Sequence, residues 1–338
     1  MTIFTSAGQH GMANPAGMGI SSPGLGFGLS LAALVFWSIS PFCFAGTGRR
    51  IGPFATNLFR LGLGTFVLIG ITAIRNRLVG GFAYPGGLTW FWLSTSGVVG
   101  LVVGDFFLYR ALATIGPGKT SQIQILAPAA TAAIAWALLR ETMTFPQLAG
   151  MALILAGVSI ATWDSARRTD IRNKTGAGGA SITSRIQKPA GYLLTGAWAA
   201  VWSALFQGLQ TVLAREAFLS QPDLDPFLAT TIRVGCAGVV AWTVARAWGP
   251  WGPALAGARQ PKVLRLLLLG TACGPVAGMI CYVGALKFAP AGVVTTITFM
   301  NPLIVIPLGA WYYGTRIGGP AIAGTAVSLA GVLLLGFG

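Results

Sequence analysis

Acidic residues are scarce: 7 Asp and Glu stand against 22 Lys and Arg, and charged residues of both signs make up only 9% of the 338-residue chain. With 54% hydrophobic residues, a water-soluble domain of this size could not stay in solution, so its solvent is read as lipid. The single histidine, His10, lies in the polar N-terminal stretch, which removes Ser-His-Asp and Cys-His chemistry from consideration. Cys43, Cys236, Cys273 and Cys281 sit inside apolar runs without metal-ligand spacing and read as packing residues; no metal and no cofactor is expected. The first 24 residues contain no Lys or Arg and no apolar run, so no cleavable signal peptide is expected and targeting falls to the first membrane helix. The basic excess gathers in loops, with no basic helix or aromatic-basic interleaving, which argues against a nucleic-acid partner. Ala113 to Thr120 reads A-T-I-G-P-G-K-T, but it joins two membrane spans instead of following a buried strand, so no nucleotide is expected.

Long apolar runs dominate what is present. Crossing the hydrocarbon core takes roughly 20 residues. Ten stretches qualify: Leu25–Ala45, Ala55–Ile74, Leu88–Leu112, Thr120–Leu139, Gln147–Trp163, Gly191–Leu213, Pro226–Ala245, Val263–Leu286, Gly292–Tyr313 and Ile317–Leu335. The expected fold is an all-α integral membrane protein of ten transmembrane helices. It divides into a polar tail (1–24), a first five-helix unit (25–163), a basic linker (164–189) with six Lys and Arg and a Gly-Ala-Gly-Gly run, and a second five-helix unit (190–338).

The two units are repeats. Gly150 and Gly157 recur as Gly324 and Gly331, Gly100 and Gly104 as Gly274 and Gly278, Gly118 as Gly292, and Pro128 as Pro302, all at one offset. Arg60 answers Arg233, and Trp37-Ser38 answers Trp202-Ser203. An odd number of spans per unit makes the second copy enter the bilayer from the opposite side, giving an inverted repeat. That symmetry suits alternating access around a site on the pseudo-two-fold axis.

Candidate working residues follow from the cost of polar groups in lipid. Asp105 sits deep in the third span, with no acidic counterpart at the matching Met279, and is the candidate for carrying a coupling proton. Its partner is open between Arg60 and Arg233. Those two arginines lie near span ends, where snorkelling to headgroups would make them structural charges. Pro128 and Pro302, well inside the fourth and ninth spans, are expected to kink helices and free backbone carbonyls for gating. Polar neighbours Gln122, Gln124, Thr295, Thr296, Thr298 and Asn301 would line a cavity there, with interhelical hydrogen bonding as the competing role. Trp37, Trp202, Gln207 and Gln210 offer a partly apolar, hydrogen-bonding wall to an organic substrate, and Trp37 and Trp202 are expected to face inward. No catalytic residue is assigned.

The ten spans in two five-helix repeats, Trp37, Arg60 and the run from Leu126 through Pro128 and Trp136 to Leu139, Arg140 and Glu141 resemble the EamA branch of the drug/metabolite transporter superfamily. Arg140 replaces that family's usual glycine before the glutamate. In the second half Gly314 keeps the glycine while Thr315 replaces the glutamate. The resemblance implies a secondary transporter, often an exporter, of amino acids, other metabolites or toxic small molecules in a prokaryotic plasma membrane, partnered only by solute and bilayer. The competing classes are a flippase or membrane-embedded enzyme acting on a lipid-linked substrate. The family implies cytoplasmic termini, whereas 13 Lys and Arg in the odd-numbered connections against 5 in the even-numbered ones argue for the reverse. Orientation stays open between the two.

Overall fold

The computed structural model describes residues 23–174, 190–247, 252–313 and 318–337. The N-terminal tail with His10, the glycine-rich part of the linker, and Gly314 to Arg316 lie outside the described residues. Every described element is helical. Lipid offers no hydrogen-bond partner to a backbone, and a helix satisfies its own.

In the first half α1 (Pro23–Ile51), α2 (Pro53–Leu78), α3 (Gly87–Gly97), α4 (Asp105–Gln124), α5 (Leu126–Leu139) and α6 (Phe145–Lys174) follow in order, α4 turning at Gly116, whose φ of 81° divides the third span from the fourth. The second half holds α7 (Ala190–Ser220), α8 (Pro226–Ala247), α9 (Gly252–Ala258), α10 (Pro261–Thr271), α11 (Met279–Phe288), α12 (Ala291–Thr298), α13 (Asn301–Tyr313) and α14 (Gly319–Phe337). Nine helical stretches among the described residues are long and apolar enough to span a bilayer. The remaining span expected from the sequence is α7, 31 residues long, whose Gln207 and Gln210 lower its hydropathy.

The halves pair as an inverted repeat. In the contact between α6 and α14, a Cβ on Gly150 would lie 2.7 Å from the Gly331 carbonyl oxygen, and one on Gly331 the same distance from that of Gly150. Gly157 and Gly324 repeat this reciprocity at 2.3 and 2.4 Å. Gly150 thus meets the repeat mate of Gly157, and Gly157 the mate of Gly150, the exchange that a two-fold between antiparallel equivalent helices produces, with backbones so close that only glycine fits. α2 and α8 likewise run antiparallel, with Thr72 bonded to Thr231 near one end and Gly62 against Trp242 near the other.

Three features correct the sequence-based elements. The third and eighth spans are not continuous α-helices: π-helical turns occupy Val98–Gly104 between α3 and α4, and Ala272–Gly278 between α10 and α11, at matching positions of the two repeats. The fourth and ninth spans break at Ile125 and at Phe299–Met300, so Pro128 and Pro302 stand in the first turns of α5 and α13. There the missing amide costs nothing, and the prolines start helices instead of kinking them at midpoint. Finally, α6 continues past Trp163 into the basic segment as far as Lys174.

Candidate functional site

The two π-helical turns create the site. A π turn widens the helix by one residue and shifts the groups on either side of it. In the second half Trp37 of α1 docks against this widening: its indole Nε1 donates to the Gly274 carbonyl at 3.2 Å, and Gly278 leaves room for the ring. In the first half α7 takes the equivalent place and presents Gln210, whose amide fills the space that a side chain at Gly100 would need. A Cβ there would meet Gln210 Oε1 at 1.8 Å.

From these placements a continuous polar chain crosses the interior. Arg60 Nη2 of α2 donates to Asp105 Oδ2 at 2.5 Å. Gln207 Nε2 donates to the other carboxylate oxygen at 3.4 Å, Gln210 Nε2 donates to Gln207 Oε1, and Arg233 Nη2 of α8 donates to Gln210 Oε1 at 2.8 Å. The chain thus joins the two repeat-related arginines through one carboxylate and two amides. Asp105 is 5% exposed and Arg233 is fully buried. Aromatic rings flank both ends, Phe44 beside Arg60 at 5.6 Å and Tyr282 beside Arg233 at 5.9 Å. Tyr282 also packs on Trp37, with ring centroids 4.9 Å apart, and its hydroxyl shares a hydrogen bond with Thr211 Oγ1.

Several expectations change here. Arg60 and Arg233 do not reach toward headgroups; both turn inward, because a carboxylate and an amide in the bundle satisfy them better than a long reach past apolar neighbours. Asp105 takes Arg60 as its partner. Trp202 departs from its repeat mate: Trp37 is half-buried, whereas Trp202 is 48% exposed and stacks on Phe206. Gln207 and Gln210 fill the place by the first π turn, so the tryptophan there has no equivalent slot. Thr295 and Thr298 are buried but donate to carbonyls on their own helix, Ala291 and Val294, as Thr296 does to Gly292. Gln122 is half-buried on α4. Gln124 donates to Ser203 Oγ at 2.8 Å and Asn301 donates to the Trp37 carbonyl at 3.1 Å, each beside a break in its span.

A second polar cluster, at the ends of α5, α7 and α11, does not arise from the pattern of spans. Glu141 pairs with Arg215 at 2.6 Å and accepts from the backbone amide of Ala291 at 3.0 Å, while Arg215 donates to the carbonyls of Leu286 and Lys287. One ion pair therefore holds the N-terminus of α12 and the C-terminus of α11, with the dipole sense favourable at both. On the same face Arg75 pairs with Asp225 at 3.1 Å, and Asp225 also accepts from the first amides of α8. Tyr282 is the site residue hardest to find from sequence. Its signal was only that a tyrosine inside a membrane span needs a hydroxyl partner.

A model of the EamA-like transporter family matches residues 24–163 and again 194–337. The chain belongs to the EamA-like transporter family. It is a multi-pass membrane transporter of the drug/metabolite transporter superfamily. The two matched regions are the two EamA repeats that meet at the polar chain. A solved crystal structure of a protein with 17% identity has the same fold as this EamA protein, with a TM-score of 0.67 over 91% of this chain and 97% of the other. No curated protein matches the sequence.

Proposed function

We propose that this EamA-like protein exports small organic solutes, such as amino acids, other metabolites or toxic compounds, across a prokaryotic plasma membrane by alternating access, with a proton carried at Asp105 as coupling ion. The observation that carries the reading is the hydrogen-bonded chain from Arg60 through Asp105, Gln207 and Gln210 to Arg233. Buried polar groups in a membrane interior are expensive, and a chain joining helices of both repeats is an expected locus for solute and ion. Asp105 is the sole acid in that chain. Protonating it would remove the negative charge that Arg60 pairs with and turn one of its two accepting oxygens into a donor, so proton uptake and repacking of the two halves are chemically linked.

A reading as a flippase for lipid-linked substrates draws on a different place, an apolar groove of about 320 Å³ lined by Ala161, Leu303, Ile306, Pro307, Ile322 and Leu329 of α6, α13 and α14. It offers a surface for acyl chains, with Thr325 as its polar lining residue.

Flux into proteoliposomes of purified protein, over a panel of amino acids and small metabolites with and without an imposed pH gradient, separates the two. Saturable uptake that responds to the gradient supports proton-coupled transport. Scrambling of labelled lipid with no solute flux would favour the flippase.

A further inference from the structure

The polar chain is unbalanced in charge. Arg60 and Arg233 contribute two guanidinium groups and Asp105 a single carboxylate, and that carboxylate is committed to Arg60 by a direct contact. Arg233 meets only a neutral amide oxygen, through Nη2. Its Nε and Nη1 are buried and have no hydrogen-bond acceptor among the described residues. The side chain is fully buried, its other polar neighbourhood being the ring of Tyr282. A guanidinium is never deprotonated under ordinary conditions and presents a planar fork of donors matched to a carboxylate or phosphate. Leaving such a group in a low-dielectric interior without an anion is costly unless the protein uses it.

Resting on the transporter reading, we infer that Arg233 anchors a negatively charged group of the transported solute, a carboxylate in the first instance. Nη2 has one N–H on each two-donor edge of the guanidinium and Gln210 takes one of them; the other, beside the unengaged Nε or Nη1, leaves an edge that can donate to both oxygens of one carboxylate. Trp37 and Tyr282, packed together beside it, supply an apolar aromatic wall for the remainder of the solute. Arg60, by contrast, is already neutralised by Asp105. The repeat-related arginines thus divide the work: one is paired within the protein, and the other awaits the anion. Its full burial means that solute enters as the halves part and is then enclosed.

The test uses matched probes sharing one skeleton: phenylacetate, phenylacetamide and phenethylamine, and likewise leucine and leucinamide. Thermal stabilisation of the purified full-length protein reads binding, and proteoliposome counterflow reads transport. The carboxylate members are expected to bind at least about tenfold more tightly than the amides or the amine, as a charge-assisted pair is worth. Arg233→Gln is expected to abolish that preference, and Arg233→Lys, which keeps the charge without the fork, to retain part of it. Equal binding of acid and amide by the wild type, or preference for the amine, overturns the inference and needs no variant to fold. A carboxylate preference undiminished in folded Arg233→Gln overturns it as well. Carboxylate-selective binding without flux would leave the anion site standing and remove the transporter reading.

Discussion

Asp105 holds donors from two directions, Arg60 and Gln207, and is therefore the residue at which charge and geometry are joined. Asp105→Asn keeps the shape but cannot take up a proton, so gradient-driven flux should be lost while solute exchange at equal pH persists in folded protein. Unaltered response to a pH gradient would remove the coupling role. Asp105→Ala is a different experiment, because it leaves the Arg60 guanidinium largely buried with no counter-charge. It should lower stability by about 3–5 kcal/mol, the usual cost of breaking a buried pair from one side, read as an earlier thermal unfolding midpoint in detergent. Gly100→Ala probes the chain from outside its polar members. Its methyl would occupy the position of the Gln210 amide, so Gln210 must leave and the link to Arg233 opens. Flux should fall sharply in Gly100→Ala with little loss of helix content by circular dichroism.

Elements act through two kinds of contact, a tight glycine seam and a clamp between helix ends. In the α6–α14 seam a side chain at Gly157 would press on the backbone carbonyl of Gly324, and a rigid backbone cannot yield as a side chain can. Gly157→Leu should cost about 1–3 kcal/mol or more, as overpacking does, and shift the protein toward aggregation on size exclusion. The acid of the clamp does not recur in the sequence of the second half. Glu141 and Arg215 hold the α11–α12 turn, whereas Thr315 stands at the repeat position of Glu141 in the sequence. Glu141→Gln weakens a charge-assisted contact worth about 2 kcal/mol. The turn should loosen, and a cysteine placed at Ala289 in a background free of the native cysteines should label faster. These elements were legible to different degrees. The glycine seam is visible because its four glycines recur at one offset, and small residues at that spacing share a helix face. The first π turn is invisible because Val98–Gly104 has the composition of ordinary membrane helix, whereas Pro275 inside Ala272–Gly278 marks an irregular turn without saying of which kind; the side chains packed on the two turns, Gln210 and Trp37, show what the widening accommodates.

The whole molecule is two equivalent units crossing in opposite senses, with a chain of polar contacts where they meet. That architecture could be read from hydropathy and from internal repetition, since a bilayer imposes span length and the repeat survives in glycines that contact backbone. The centre was legible only residue by residue. Asp105, Gln207 and Gln210 stand out as polar groups in apolar spans, but their order in the chain depends on helix rotation, which the sequence does not encode locally. Symmetry also misleads at Trp202, where α7 presents amides in place of the indole that α1 presents at the other π turn. The function proposed for this protein is a motion, in which solute and proton at the polar chain open the two faces in turn. Distances between spin labels at both faces test it most directly. One pair would sit at Leu78 and Leu219, near the face clamped by Arg75–Asp225 and Glu141–Arg215, and the other at Arg50 and Lys262 on the opposite face. On adding a transported solute and lowering pH, one distance should lengthen as the other shortens; both staying fixed, or both changing in the same sense, would contradict alternating access in this protein.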